Sequence, residues 1–152
     1  MNVTYQLLGS KENVPMELLL TADPSEKLVN SYLEKGICYT AELDGETIGV
    51  ALVMETKPST VEIMNIAIKE AYQNKGIGKH LLQFVIGEIK KGETKTIEIG
   101  TGNPGVVQML VYQKCGFRIV GIDFDFFRRN YDEAIYENGI ECRDMIRMKI
   151  DV

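Results

Sequence analysis

Nothing in this chain has the spacing of a metal centre. The three cysteines, Cys38, Cys115 and Cys142, are odd in number and far apart, with no C-x-x-C pair among them. They read as reduced, mostly buried thiols, and no metal is expected. His80 is the single histidine. No apolar run approaches the roughly 20 residues that span a bilayer. The start, Met1-Asn2-Val3-Thr4-Tyr5, lacks the basic region and apolar core of a signal sequence, so the expected location is the cytoplasm and no membrane partner is expected. Positive charge is not in excess either. Lys and Arg number 17 against 22 Asp and Glu, a net charge of −5. That argues against a nucleic-acid partner and is compatible with a cationic one. Repeats, low-complexity segments and linkers are also missing. What remains is 152 residues of ordinary globular composition, read as one domain over 1–152 with a core that needs no staples.

The most ordered stretch runs from Val61 to Ile86. An apolar segment, Val61 to Ile68, enters Gln73-Asn74-Lys75-Gly76-Ile77-Gly78, and a helical pattern of Ile77, Leu81, Leu82, Val85, Ile86 and Ile89 leaves it. Strand, glycine-rich turn and helix together make an anion site. The first N–H groups of a helix lack internal acceptors, and the macrodipole favours negative charge there. The turn is neither a GxGxxG fingerprint nor a Walker loop, because Gly78-Lys79 is followed by His80.

Elsewhere the pattern predicts a strand over Val3–Leu8 and a short helix over Pro15–Leu20. A second helix begins at Asp23-Pro24-Ser25-Glu26, with Pro24 at its first helical position, and ends at Gly36. Ile37–Leu43 and Thr47–Glu55 read as a hairpin closed by Asp44-Gly45. The phosphate-turn helix is expected from Lys75 to about Lys90. A strand over Thr96–Thr101, a helix over Val106–Cys115, a strand over Phe117–Ile122 and a last strand within Cys142–Ile150 complete an α/β chain.

Gln73-x-x-Gly76-x-Gly78 after an apolar strand resembles the acetyl-CoA pyrophosphate loop of the GNAT N-acetyltransferases. Val111-Tyr112-Gln113-Lys114-Cys115-Gly116-Phe117 looks like that family's second signature, and the hairpin Asp44 to Val50 is similar to its central one. The likeness covers roughly residues 37–122. It implies the GNAT fold: a mixed, mostly antiparallel α+β sheet of about six to seven strands, helices on both faces, and two central parallel strands that splay apart. It also implies acetyl-CoA as cosubstrate. Backbone groups of Ile66, Ala67 and Ile68 would meet the pantetheine arm, with the Ile68 amide able to polarise the acetyl carbonyl. Gln73, Asn74, Lys75, Gly76, Ile77, Gly78 and Lys79 would hold the pyrophosphate.

On the same resemblance Tyr112 is the acid that protonates the departing thiolate, and it also touches the cofactor. A phenol near 10 and a thiol near 8.5 are suitably ordered for that transfer. Its bland alternative is a core aromatic. Asn103 either bonds the pantetheine arm or caps the following helix; the family places its asparagine nearer the tyrosine, where Gly105 stands here. Glu62 on the central strand is the candidate base, with Asn65 a candidate to position water. His80, in the first turn of the helix, sits where the dipole disfavours a proton.

Between Asp123 and Glu137 acids and aromatics mix, a composition suited to stacking and pairing a cation. Asp125, Tyr131, Glu133 and Glu137 are the acceptor-site candidates. The alternative is a solvated loop, or a homodimer contact made by Phe124, Phe126 and Phe127. Asp132 to Ile140 resembles the tails of a bacterial GNAT subgroup whose acceptor is not assigned. The expected activity is acetyl transfer from acetyl-CoA to a small-molecule primary amine by direct attack in a ternary complex. Rival readings are a protein or peptide N-acetyltransferase, a non-catalytic acetyl-CoA sensor, and a nucleotide binder using Gln73–Gly78.

Overall fold

The computed structural model describes residues 1–152. Strand β1 (Thr4–Leu7) is followed by helices α1 (Met16–Ala22) and α2 (Glu26–Lys35), then by strands β2 (Ile37–Leu43), β3 (Glu46–Lys57) and β4 (Thr60–Ile68). Helix α3 (Ile77–Ile89) leads to β5 (Thr96–Gly102), and α4 (Val106–Lys114) to β6 (Arg118–Asp123). A short helix α5 (Phe126–Asn130) and a hairpin, β7 (Ile135–Glu137) and β8 (Ile140–Cys142), precede β9 (Met145–Asp151). Seven strands make one sheet in the order β1-β2-β3-β4-β5-β9-β6, and β7-β8 stand apart. Every neighbouring pair is antiparallel except β4 and β5.

Strand alternation divides the core in two. Tyr39, Ala51, Val53, Ile63, Ile97, Ile99 and Met148 face α3 and α4, where Leu81, Leu82, Val85, Ile86 and Tyr112 meet them. Cys38, Val50, Leu52 and Ala67 face the other way, onto Leu18, Leu19, Val29 and Tyr32 of α1 and α2. Consecutive residues such as Val50 and Ala51 therefore serve opposite layers, as a period of two requires. Helices cover both faces.

The hairpin at Asp44-Gly45 forms as expected, with both residues at positive φ (49° and 80°). Asn138-Gly139 repeats the device, at 53° and 74°. This second hairpin is the largest departure from the expected elements: Ile140–Cys142 belongs to it, so the last strand starts at Met145 rather than Cys142. Helix α2 starts two residues later than expected. Ser25 caps it, its Oγ accepting the Leu28 N–H at 3.2 Å. Asp23 instead accepts the Ser25 N–H at 3.1 Å and turns the chain before the helix begins. Helix α3 starts at Ile77, not Lys75, because Asn74 and Gly76 are both left-handed.

The pairing of β4 with β5 positions the functional site. Only four residue pairs form, from Thr60↔Thr96 to Ile63↔Ile99. Past Ile63, β4 stays paired with β3 through Ile68↔Gly49. Strand β5 stays paired with β9 through Gly102↔Met145. The two strands diverge between them, as the expected splay requires. A bulge opposite Leu52 and Val53 leaves Met64 outside the register at the point where divergence begins.

Candidate active site

The glycine turn sits at the open end of this gap. Gly76 takes φ +82°, which an L-residue adopts only at a cost, and α3 begins directly after it. The first bond of the helix runs from the His80 N–H to the Gly76 carbonyl (3.1 Å). The N–H groups of Ile77, Gly78 and Lys79 thus have no intrahelical acceptor. No acidic residue occupies the first turn of α3 and no side chain caps it, so nothing in the helix competes with an incoming anion. Gln73 ties the turn to the strand, its Nε2 donating to the Ile68 carbonyl at 2.9 Å. Asn74 supplies a left-handed residue before Gly76. Lys75 is exposed and Lys79 half-buried, and Lys79 lies near enough to Cys115 to act on its thiol.

A cleft of about 410 Å³ occupies the splay. It passes through the sheet, between the diverging ends of β4 and β5. Ile66, Ala67, Ile68 and Gln73 line it at the turn end, Tyr112 from α4 on one face, and Asp23, Asn65 and Tyr131 on the other. The strand edge along Ile66–Ile68, which has no partner strand toward β5, is therefore part of its wall. These features suit a long amide-bearing ligand whose phosphates end on α3.

Tyr112 is buried. Burial raises its phenol above the usual tyrosine range, and the nearby Glu137 and Cys115 raise it further. It stays protonated, as a proton donor must. Glu137, from β7, also lines the cleft, near Tyr112. Of the acceptor candidates, Tyr131 and Glu137 reach the cleft. Glu133 lines an adjoining hollow of about 340 Å³ with Arg128 and Tyr131.

Three candidates are not brought there. Glu62 points from β4 toward β9, where Arg147 Nη1 donates to it at 3.3 Å, and it does not line the cleft. Burial raises its carboxyl and Arg147 opposes that rise. Arg147 also stacks over Phe126 and reaches Asp123. Asp125 is engaged by Arg143 Nε at 2.6 Å, and its left-handed backbone starts α5. Asn103 neither faces the cleft nor caps α4, which carries no side-chain cap and has Gly105 at its cap position. Its Nδ2 donates to the Glu141 carbonyl (3.2 Å), and its Oδ1 accepts the N–H groups of Arg143 (2.8 Å) and Asp144 (3.0 Å). It fastens the chain that follows β8 to the end of β5. A Cβ at Gly105 would lie 2.3 Å from Thr101 Oγ1, which explains why no asparagine stands there. Of the three phenylalanines offered for a dimer contact, only Phe124 is free, at 67% exposed. Phe127 stacks on Tyr131 and packs edge-on to Phe126.

The sequence reading missed Asp23 as a site residue. It is 9% exposed, at the corner between α1 and α2. Tyr131 Oη donates to its Oδ1 (2.9 Å) and Tyr32 Oη to its Oδ2 (3.1 Å). Asn65 Nδ2 donates to Tyr32 Oη and to the Leu19 carbonyl, both at 2.9 Å. Local pattern marks Asp23 only as a helix-start residue; its burial depends on a tyrosine 108 positions away.

Known proteins share this fold. An N-acetyltransferase of Bacillus subtilis (strain 168), YvbK, is 54% identical over 146 residues, covering 95% of this chain and 94% of its own. The crystal structure of a Bacillus subtilis acetyltransferase in complex with CoA superposes with a TM-score of 0.93 at 51% identity, covering 99% of each chain. A GNAT family acetyltransferase from Elizabethkingia anophelis with acetyl-CoA bound gives 0.95 at 44% identity, again over 99% of each chain. The family model for the acetyltransferase (GNAT) family matches residues 11–117, which hold the turn, the splayed strands and Tyr112. With the fold, the split ladder and these matches in agreement, the chain belongs to the GNAT family of acetyltransferases.

Proposed function

We propose that this protein moves an acetyl group from acetyl-CoA to the primary amine of a small molecule, by direct attack in a ternary complex. The observation that carries the reading is one cleft, threading the sheet, with the anion-ready turn at one end and Tyr112 and Asp23 on opposite walls. Two neighbouring structures carry CoA or acetyl-CoA, and the residues present here fit the same ligand. The free N–H groups at the start of α3 suit the pyrophosphate, with charge-assisted bonds of about 1.5–3 kcal/mol each. The open edge of Ile66–Ile68 suits the pantetheine amides.

Bound acetyl-CoA supplies the activated acetyl group and a thiolate leaving group. The cleft holds the amine on the Asp23 side and Tyr112 on the other, and such placement is worth about 7–11 kcal/mol of barrier. As the nitrogen–carbon bond forms and the carbon–sulfur bond breaks, the Tyr112 hydroxyl gives its proton to sulfur. The proton shed by nitrogen passes to solvent, and Tyr112 recovers one from there. No covalent enzyme intermediate is involved, so Cys115 is structural. Glu62, held by Arg147, leaves the base role to water or to a group within the cleft.

Thiol release from acetyl-CoA over a panel of polyamines, aminoglycosides, amino acids and short peptides tests the reading. The expected outcome is turnover on a small amine, cut about 10²–10⁴-fold by Tyr112→Phe while CoA affinity holds. Turnover confined to peptides would assign the protein to peptide N-acetylation, and CoA binding with no turnover on any amine would favour a sensor.

A further inference from the structure

The cleft wall formed by α1, α2 and β4 carries a polar cluster whose hydrogen bonds do not close. Asn65 is 5% exposed, and its Oδ1 is buried without a partner. The amide cannot be turned round to cure this. One Nδ2 hydrogen goes to the Leu19 carbonyl, which only accepts. The other goes to Tyr32 Oη, whose own hydrogen is given to Asp23. Asp23 is in the same condition. Its Oδ1 receives Tyr131 Oη and the Ser25 N–H, but its Oδ2 receives Tyr32 Oη alone. A carboxylate accepts about four hydrogen bonds and an amide oxygen two. One acceptor position on Asp23, which lines the cleft, is therefore vacant, while the two on Asn65 Oδ1 are vacant but closed off from solvent. No Lys, Arg or His nitrogen forms an ion pair with Asp23. A carboxylate 9% exposed is thus balanced only by neutral donors, an arrangement that rewards an incoming cation.

We infer that Asp23, braced by Tyr131 and by Tyr32, which Asn65 fixes in turn, forms the receptor for the ammonium group of a compact primary amine. The inference rests on the acetyltransferase reading and names the acceptor subsite within it. The vacant carboxylate position takes one N–H of a primary ammonium and meets its charge. An alcohol brings one donor and no charge, and a quaternary ammonium brings charge and no donor. Beside the cluster Phe127, stacked on Tyr131, lines the cleft. Its ring offers an apolar contact for a short hydrocarbon body.

The test follows the Asn65 side-chain amide by nitrogen–proton NMR in CoA-saturated protein, titrated with butylammonium chloride, butan-1-ol or butyltrimethylammonium chloride. CoA binding to the same samples is measured by calorimetry and serves as the folding control. Butylammonium is expected to move the Asn65 signals saturably, with a Kd of about 1 mM, while the two controls leave them in place. Asp23→Asn keeps the shape and removes the charge, and is expected to weaken butylammonium at least about tenfold. Failure of butylammonium to move these signals, or equal movement by butan-1-ol, overturns the inference without need of any variant. So does a short peptide with a free N-terminus that moves them where butylammonium does not. Equal binding by folded Asp23→Asn removes the role of its charge. Loss of CoA binding in the wild type would instead strike the acetyltransferase reading, and the amine titration would still be readable on its own.

Discussion

Burial sets the acid–base behaviour of the residues that matter most. For Tyr112 it raises the phenol, with Glu137 and Cys115 adding to the rise. A raised value means that the proton is kept to higher pH, so the donor form persists throughout the range in which an amine is progressively freed. The rate at low amine concentration should climb with pH and show no fall from tyrosinate below about pH 10. A pH–rate profile that bends down near pH 9, and loses that bend in Tyr112→Phe, would contradict this. The cysteines follow the same logic. Burial pushes the Cys38 thiol up to about 11 and the Cys142 thiol up to about 12, the latter with help from Glu137 and Glu141. The thiolate is the reactive form, so near pH 8 both are almost wholly unreactive. Iodoacetamide should label the half-buried Cys115 first, and the other two only after unfolding, as peptide mass spectrometry will report. At this scale the place of Tyr112 in the cleft was readable because its signature is contiguous. Glu62, Asn103 and Asp23 were not, since what each does is decided by Arg147, by the chain after β8 and by Tyr131, none of them sequence neighbours.

Elements were easier to read than side chains, because hydrophobic period is local and partner choice is not. Strands β2 to β5 and helices α3 and α4 fall within two residues of expectation at each end. Helix α5, the β7-β8 hairpin and the return of β9 between β5 and β6 did not show. Those pieces are short, and Phe126, Phe127 and Tyr131 are fixed by packing on one another and on Arg147 rather than by any period. Asn138-Gly139 was the one available hairpin signal. The start of α3 invites a test in which two effects have opposite signs. A Cβ at Gly78 would lie 3.5 Å from Ile68 Cγ1, an ordinary contact. Gly78→Asp therefore fits, and an acid in the first turn favours the helix by about 0.3–1 kcal/mol. The melting temperature should hold or rise, while CoA affinity falls at least tenfold, roughly 1.4 kcal/mol. A variant that melts lower but still binds CoA as the wild type does would show that the turn's role is structural.

Seen whole, the molecule is two half-sheets, β1 to β4 and β5-β9-β6, joined by four residue pairs at one end of the β4–β5 seam. Packing of α3 and α4 closes one face of the seam, and the Tyr131–Asp23 bond crosses the other. A ligand lodged in the seam binds both halves, and binding to the folded state alone adds about 2.7 kcal/mol at a hundred times Kd. For a chain of this size that is a rise of roughly 5–10 °C in melting temperature. Scanning calorimetry with and without CoA measures it, and an unmoved transition would mean that CoA does not bind the folded protein.

The diverging strands have one more consequence. An unpaired strand edge at the rim of a sheet invites the strands of other chains. Here the unpaired edge of Ile66–Ile68 lies in the interior, facing a diverging neighbour, with Tyr112 on one side of the cleft and Tyr131 on the other. The cleft's volume of about 410 Å³ suits a slender chain carrying its own amides better than a polypeptide strand with its side chains. The fold keeps a row of backbone groups open for use and sorts their partners by girth, without the aggregation hazard that such a row carries on an outer edge.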